Sequence, residues 1–240
     1  MSAGWRYRSV SRSDVGLVRD RNEDDLVDRP DAGIWAVADG IGGHEGGQRS
    51  SSLIRERLDA LPPVTDPAAD LRALTQGLQE VHAQLRAESR HGPRGSTVVA
   101  LLAAGARFVC TWVGDSRLYR WRAGQLERLT RDHSLVEELI ASGTLTPEAA
   151  RGHPLASRIT RAVGVGDDLE VESETGVFQP GERYLLSSDG LHGVLSATLI
   201  GKLLALPDLD AAVDGMIAAV KRAGAPDNVS VVLVAVEPDG

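Results

Sequence analysis

The sequence predicts one α+β domain, in which antiparallel strands are accompanied by amphipathic helices. Strand-like segments follow one another at short intervals between residues 98 and 130, and such short connections favour antiparallel pairing. Elsewhere, apolar residues recur three and four positions apart, as in helices that pack by one face. The chain has 240 residues, 42% of them hydrophobic, which is enough for one sizeable core. No repeat, low-complexity tract or linker divides it, so we predict a single domain over residues 1–240.

Strands are assigned to apolar or alternating segments bounded by glycine or other turn residues. The segments between 98 and 130 are interpreted as one meander. The last strand is a nearly continuous apolar run, which predicts burial on both faces. The predicted strands cover residues 5–10, 34–38, 98–103, 107–113, 117–122, 125–130, 170–177, 183–188 and 229–236.

Helices are predicted where capping residues precede an apolar stripe. Asp66 and Pro67 supply an N-cap and a first-turn proline, and Ser134 with Glu137 has the spacing of a capping box. Residues 132–155 are predicted to form a small helical insertion that acts as a mobile flap. The predicted helices begin near residues 47, 67, 135, 147 and 209.

Composition limits the function classes. The net charge of −8 disfavours binding to nucleic acid. The single cysteine, Cys110, excludes an internal disulfide framework and is interpreted as inert core. No stretch is long and apolar enough to span a membrane, and residues 1–10 lack the apolar segment of a signal peptide, so we expect a cytoplasmic protein. His82 and His91 are interpreted as surface or linker histidines.

A glycine-crowded stretch follows the predicted strand at 34–38. Asp39 ends the apolar run, and five of the next eight residues are glycine. Glycine allows positive φ angles and lets a backbone carbonyl approach a ligand closely. A carboxylate beside a bare carbonyl suits a hard cation such as Mg²⁺ or Mn²⁺. An ordinary strand-to-loop turn has a similar composition, so the interpretation depends on the other acidic residues.

Four aspartates lie at predicted strand boundaries, three of them beside glycine: Asp39, Asp115, Asp189 and Asp227. Strand ends of one sheet can converge on a single edge, where several buried carboxylates repel one another unless cations neutralise them. A two-metal centre resolves that repulsion, and metals about 3.5–4 Å apart are the usual arrangement for in-line displacement at phosphorus.

The charged loop at 13–25 has two interpretations. It is either a solvated turn or a segment in which Arg19 faces an anion while Glu23 and Asp24 face a cation. The planar guanidinium of arginine suits phosphate oxygens. No G-x-S-x-G elbow, P-loop or H-E-x-x-H motif offers a competing chemistry.

Eight short motifs along the chain resemble those of the metal-dependent Ser/Thr protein phosphatases of type 2C, in their bacterial form. The resemblance extends from residue 13 to residue 236. The motifs are Val18-Arg19 with Asn22-Glu23-Asp24, Val37-Ala38-Asp39-Gly40 with Gly42-Gly43-His44, Gly95-Ser96-Thr97, Val113-Gly114-Asp115-Ser116-Arg117, Leu129-Thr130 with Asp132-His133-Ser134, Ile159-Thr160-Arg161-Ala162 with Gly164, Ser188-Asp189-Gly190-Leu191, and Asp227-Asn228.

The resemblance implies a four-layer fold, in which two packed antiparallel sheets are flanked by helices and hold the metals in a cleft at one edge. It implies two tightly bound Mn²⁺ or Mg²⁺ ions. Asp39 would bridge the two ions, with the carbonyl of Gly40 on one of them. Asp189 and Asp227 would hold the other ion.

Further roles follow from the same resemblance. Glu23 and Asp24 would act mostly through metal-bound water, and Asp115 with Asp189 would form a third, weaker site. Arg19 would bind the phosphate. A metal-bound hydroxide would attack phosphorus directly, without a phosphoenzyme. The catalytic residues implied are then Arg19, Asp39 and Asp189.

One position departs from the animal enzymes of this family, which carry histidine directly after the Asp-Gly pair. Here that residue is Ile41, which leaves the general acid unassigned. His44 is one candidate, although a structural role in the glycine loop fits it equally well. His133 and His153 are interpreted as structural.

The function implied is hydrolysis of phosphoserine and phosphothreonine in proteins by a monomer that opposes a cognate Ser/Thr kinase. Phosphorylated proteins would be its partners, with no role for nucleic acid or membrane. Two alternatives stay open: a catalytically weak member that serves as a phosphoprotein-binding regulatory module, and a dedicated phosphatase of an anti-sigma-factor antagonist. The complete acidic set favours an enzyme over the binding module.

Overall fold

The computed structural model describes residues 4–42, 45–88, 94–150, 153–155 and 158–238. These residues form eleven strands and seven α-helices. The strands are β1 (Trp5–Asp14), β2 (Asp24–Arg29), β3 (Ile34–Ile41), β4 (Gly95–Ser96), β5 (Val98–Ala104), β6 (Arg107–Val113), β7 (Arg117–Arg122), β8 (Gln125–Arg128), β9 (Glu172–Val177), β10 (Arg183–Ser187) and β11 (Val229–Pro238). The helices are α1 (Glu45–Asp59), α2 (Pro67–Glu88), α3 (Leu135–Ala141), α4 (Pro147–Ala150), α5 (Asp189–His192), α6 (Ala197–Leu204) and α7 (Leu209–Arg222).

The strands form two antiparallel sheets. The first sheet has the order β1-β11-β10-β7-β8, and the second has the order β2-β3-β5-β6-β9 with the short β4 beside β3. Every strand pair in both sheets is antiparallel. The α+β class and the two helix-flanked sheets predicted from the sequence are confirmed.

Three apolar clusters hold the layers together. The sheets face each other across an interior that includes Trp35, Leu101 and Tyr184, all fully buried. The outer face of the second sheet packs on α1 and α2, and the outer face of the first packs on α5, α6 and α7. Burial of apolar surface in three separate layers is the main stabilising term for such a sandwich. Within the described residues, no helix is both long and apolar enough to cross a membrane.

The strand β11 occupies the centre of the first sheet, between β1 and β10. Val231 and Leu233 face the helices, whereas Val232 and Val234 face the other sheet. Alternate side chains of a strand point to opposite faces, so a strand covered on both sides must be apolar throughout. The predicted two-sided burial of this segment is confirmed.

The predicted single meander between residues 98 and 130 is wrong. The hairpin of β5 and β6 belongs to the second sheet, whereas β7 and β8 belong to the first. The chain crosses between the sheets at Gly114, which has a φ of 103°. A Cβ on Gly114 would lie 2.6 Å from Cβ of Thr97, so this crossing also requires the small size of glycine. Closely spaced strands are antiparallel neighbours only when the turn between them stays in one sheet.

Other local predictions have mixed outcomes. Ser134 caps α3, since its hydroxyl accepts a hydrogen bond from the N–H of Glu137 at 3.3 Å. The interpretation of His82 as a surface histidine is wrong, because it is 5% exposed and its Nδ1 accepts a hydrogen bond from the N–H of Gly164 at 3.0 Å. His91 lies outside the described residues.

Candidate metal centre and active-site cleft

A cleft of about 850 Å³ opens where the two sheets present neighbouring strand ends. Asp39 reaches it from β3, and Asp115 reaches it from the turn that follows β6. The first sheet contributes Asp189, the first residue of α5 after β10, and Asp227, two residues before β11. Four carboxylates that are far apart in sequence therefore line one space. Asp39 lies inside β3 rather than at its end, because Gly40 and Ile41 continue to pair with β4.

The residues of the charged loop divide between the cleft wall and the layer behind it. Arg19 and Glu23 line the cleft. Asp24 is 8% exposed and lies directly opposite Asp39 in the register of β2 and β3. The hydroxyl of Ser188 donates a hydrogen bond to Oδ2 of Asp24 at 2.8 Å. Two carboxylates opposite one another on paired strands repel, so this arrangement costs stability unless a cation or a proton is shared.

The protonation equilibria of the aspartates reflect this crowding. Burial raises the pKa of Asp24 and the pKa of Asp115 to about 7, with a further contribution from Asp189 in both cases. Burial and then the charge of Asp24 raise the pKa of Asp39 well above its usual value. The pKa of Asp189 is raised by burial and by Asp227. Buried carboxyl groups with raised pKa values and mutual repulsion are typical of sites that bind cations or catalyse proton transfer.

Arg19 and Asp227 form an ion pair across the mouth of the cleft. Nη2 of Arg19 donates to Oδ2 of Asp227 at 2.6 Å, and the Arg19 side chain keeps 56% of its surface exposed. The pKa of Arg19 is raised by its hydrogen bond to Asp227 and then by the charge of that carboxylate. A guanidinium with this exposure can still reach an anion that enters the cleft.

Asn228 organises the charged loop, a role that the sequence reasoning missed. Its side-chain Nδ2 donates to the carbonyls of Val15 and Arg21, each at 2.9 Å, and its Oδ1 accepts from the N–H of Glu23 at 2.8 Å. One amide thus fixes three backbone points of a segment more than 200 positions away in sequence. The only sequence signal for this role is that Asn228 directly follows the candidate ligand Asp227.

Two glycines of the motifs permit close backbone approaches. A Cβ on Gly40 would lie 2.3 Å from the carbonyl oxygen of Gly47, and a Cβ on Gly190 would lie 1.8 Å from the carbonyl oxygen of Asn228. Both separations are below any real Cβ contact. The first keeps β3 against the start of α1, and the second keeps α5 against the start of β11.

The cleft offers no histidine for acid catalysis among its described lining residues. Ile41 and Ile159 line it as apolar side chains. His133 is 6% exposed, and its Nδ1 bonds with the N–H of Gly114. Nδ1 of His153 accepts from the N–H of Leu155 at 3.2 Å. His44 lies outside the described residues.

Comparison with known protein families decides the class of this cleft. The family model for protein phosphatase 2C matches residues 4–139, more than half of the chain. The chain belongs to the protein phosphatase 2C family. The family resemblance inferred from the eight motifs is confirmed.

Relatives of this chain in the protein phosphatase 2C family match it over almost its full length. The serine/threonine protein phosphatase PstP of Mycobacterium tuberculosis is 37% identical over 231 residues, which cover 94% of this chain and 44% of PstP. The chain therefore spans less than half the length of that relative. The structure of PppA, described as a key regulatory component of the type VI secretion system in Pseudomonas aeruginosa, is 41% identical with a TM-score of 0.89, covering 96% of this chain and 98% of PppA. The catalytic domain of PstP in complex with two manganese ions is 35% identical with a TM-score of 0.86, covering 97% of this chain and 99% of that domain.

The donor set of this protein phosphatase 2C cleft fits a hard divalent cation. In the described part of the chain, no group of three or more histidine, cysteine, aspartate or glutamate side chains is already arranged to hold a metal ion. Instead, Arg19 is paired with Asp227, and burial together with the neighbouring carboxylates raises the pKa of Asp39 and of Asp189. The guanidinium of Arg19 thus provides part of the positive charge that this cluster of carboxylates requires. Oxygen ligands with an excess of negative charge are what Mg²⁺ and Mn²⁺ prefer.

Proposed function

We propose that this chain is a metal-dependent phosphatase of phosphoserine and phosphothreonine in proteins. The observation that carries the proposal is the convergence of Asp39, Asp115, Asp189, Asp227 and Arg19 on one cleft. Five charged groups of the two kinds that phosphoryl transfer needs, cation ligands and a phosphate-binding arginine, line the same space. Relatives that cover almost the whole chain are described as serine/threonine phosphatases, which supports the assignment.

We propose two cations in this cleft, Mn²⁺ or Mg²⁺, bridged by Asp39. The Gly40 carbonyl would bind one of them, and Asp189 with Asp227 would bind the other. Asp115 and Asp189 would hold a third, weaker ion, while Glu23 and Asp24 would act mostly through water. When bound, such a metal pair lowers the pKa of a water molecule and orients it towards phosphorus.

Residues of the chain itself would bind and orient the phosphate ester. Arg19 would exchange its bond with Asp227 for bonds with phosphate oxygens, which orients the ester and balances its charge. Asn228 would keep Arg19 and Glu23 in place through the loop backbone that it binds. Residues 132–155 would act as a flap beside the cleft, within one phosphatase domain over residues 1–240.

The proposed partners are phosphorylated proteins and a cognate Ser/Thr kinase. We propose a cytoplasmic monomer with no role for nucleic acid or membrane. The net charge of −8 supports the exclusion of nucleic acid, because the polyanion would be repelled.

Metal titration of a chelator-treated preparation tests the proposal. Hydrolysis of p-nitrophenyl phosphate and of a phosphothreonine peptide should be absent without metal and should appear as Mn²⁺ or Mg²⁺ is added. Asp39→Asn should stay inactive at all metal concentrations, and Asp210→Asn, which removes an exposed acid paired with Arg12 on the far side of the first sheet, should match the parent. Full activity in a preparation verified to be metal-free would refute the proposal. Tight peptide binding without turnover at any metal concentration would instead indicate a binding module.

A further inference from the structure

Two consecutive large apolar side chains, Leu17 and Val18, project into solvent. Their exposed fractions are 62% and 66%. Six large hydrophobic residues are exposed in the described part of the chain, and only these two are neighbours in sequence. Single exposed apolar residues are ordinary, whereas adjacent ones beside a cleft indicate a contact surface.

The backbone fixes this exposure. Gly16 has a φ of 80°, and a Cβ there would lie 2.3 Å from the carbonyl oxygen of Asp227. The N–H of Gly16 donates to Oδ1 of Asp14 at 2.9 Å, and the N–H of Leu17 donates to the carbonyl of Ala225 at 3.0 Å. The turn is therefore held from both sides, and it presents its side chains outward in one arrangement. Such preorganisation lowers the entropic cost of binding a partner.

The turn stands at the edge of the catalytic cleft. Val18 lines the cleft and directly precedes Arg19. Pro226, which is also exposed and lines the cleft, follows Ala225, the residue that binds Leu17. We call Leu17, Val18 and Pro226 the apolar rim.

We propose that the apolar rim binds an aliphatic side chain next to the phosphorylated residue of the protein substrate. The proposal rests on the proposed phosphatase function, since the phosphate must reach Arg19. An extended peptide advances about 3.3 Å per residue, so a neighbour of the phosphorylated residue lies over the segment that adjoins Arg19. Asp20, Arg21 and Glu23 also line this wall, so its charges largely balance. An acidic neighbour is disfavoured because its carboxylate would lose hydration against the apolar rim. The expected substrates therefore carry Leu, Ile or Val beside the phosphorylated residue.

A peptide series measures this preference as a ratio. Each phosphothreonine peptide would carry Leu, Ser or Glu at one varied position and be otherwise identical. The varied position would be, in turn, each of the two residues before and the two residues after the phosphothreonine. At one of these positions, kcat/KM of the parent enzyme for Leu should exceed that for Ser by about tenfold, and Glu should rank lowest. In Leu17→Ser/Val18→Ser the ratio of Leu to Ser should fall to about one. Because the ratio is taken within each enzyme, a general loss of activity does not affect it.

Val177→Ser is the matched control. Val177 is 61% exposed and pairs with Arg107, at the end of β9 away from the cleft. It should keep the ratio of the parent. A parent enzyme without preference, or a ratio that survives in the double variant, overturns the proposal. A dimer in sedimentation that the double variant alone abolishes would assign the rim to a second copy of the chain and overturns it as well.

Binding of fluorescent phosphopeptides, measured by anisotropy on the same proteins, separates this inference from the phosphatase function. If no enzyme hydrolyses any peptide or p-nitrophenyl phosphate, the proposed function fails. The rim is still supported if the parent binds the Leu peptide about tenfold more tightly than the Ser peptide and the double variant does not. Equal binding of both peptides by the parent overturns it.

Discussion

The backbone of Gly114 is bound by His133 on both of its polar groups. Nδ1 of His133 accepts a hydrogen bond from the N–H of Gly114 at 3.1 Å, and the N–H of His133 donates to the carbonyl of Gly114 at 2.9 Å. Nε2 of the same ring lies 3.1 Å from Oε1 of Glu172 on β9. One histidine therefore fixes the turn from which Asp115 enters the cleft. Its structural role is analogous to that of His82, which accepts from Gly164, another glycine with positive φ.

His133→Ala and His82→Ala should separate stability from metal binding. Each leaves a buried N–H without its acceptor, so the free energy of unfolding measured in urea should fall by about 1–3 kcal/mol in both. Only His133→Ala should weaken the third, weak metal site in calorimetry, because only its partner adjoins Asp115. His133→Asn, whose Oδ1 comes near the position of Nδ1, should restore part of both losses. Equal metal affinities in the two alanine variants would contradict a positioning role for His133.

The aspartates should differ in importance. Asp39→Asn and Asp189→Asn should abolish turnover, because each removes a charged ligand proposed for the tight ions. Asp115→Asn should leave those tight sites nearly intact in calorimetry. Metal-free Asp39→Asn should unfold at or above the temperature of the parent, since one member of a repelling cluster is removed. If all three variants lost the tight sites equally, the proposed ligand assignment would be wrong.

Arg19→Ala should raise KM without weakening metal binding. A charge-assisted contact with phosphate contributes about 1.5–3 kcal/mol, so kcat/KM should fall about ten- to a hundredfold. Metal affinity should stay the same or rise, because Arg19 no longer competes for Asp227. Unchanged kinetics together with weaker metal binding would mean that Arg19 is structural.

Gly190→Ala and Gly201→Ala should have opposite effects on stability. A Cβ at position 190 would lie 1.8 Å from the carbonyl oxygen of Asn228, so α5 must move away from β11 and Asp189 with it. The nearest atom to a Cβ at position 201, in the middle of α6, is 3.9 Å away. Gly201→Ala should therefore stabilise the protein by about 0.5–1 kcal/mol, whereas Gly190→Ala should lose both stability and activity. Thermal unfolding of the two purified proteins measures this, and a neutral Gly190→Ala would contradict the close approach.

Ile41 should make the rate depend on the leaving group. A serine alkoxide gains much from protonation in the transition state, whereas a nitrophenolate gains little. Since Ile41 cannot donate a proton, kcat/KM should fall steeply across phosphate esters as the pKa of the leaving alcohol rises, and Ile41→His should help phosphopeptides more than aryl phosphates. A flat dependence in the parent that becomes steep in His44→Ala would assign the acid to His44. His153→Ala should behave as the parent.

The sequence predicted elements whose apolar pattern is unambiguous. The two-sided burial of β11 and the stripe of α2 follow directly from spacing. His82 belongs to that stripe, one position after Val81 and three before Leu85, so its spacing indicated burial although its residue type suggested the surface. The strand β2 was not predicted because its six residues include Asp24, Asp25, Asp28 and Arg29, and its pairing depends on β3.

For the candidate site, the sequence identified the charged groups but not what holds them. Aspartates at predicted strand boundaries, three of them next to glycine, are visible as a pattern, and the structure brings four of them to one cleft. The contacts of Asn228 with Val15 and Arg21 join segments more than 200 positions apart, and no local pattern encodes such a contact. The crossing at Gly114 was missed for the same reason, since a turn within one sheet and a turn between two sheets can use the same residues.

The aspartates of the cleft are held by different sheets. The interior between the sheets therefore affects the geometry of the cleft as well as the stability of the fold. Asp39 lies in β3 of the second sheet, Asp189 and Asp227 adjoin strands of the first, and Asp115 lies in the segment that crosses between the two sheets. The separation between Asp39 and the two aspartates of the first sheet is therefore set by the thickness of the side chains stacked between the sheets, among them Trp35 and Tyr184. A smaller residue at either position would change the spacing of the carboxylates without touching one of them. The deep interior thus sets the distance between groups at its edge, so a substitution there can alter the cleft without changing any residue that lines it.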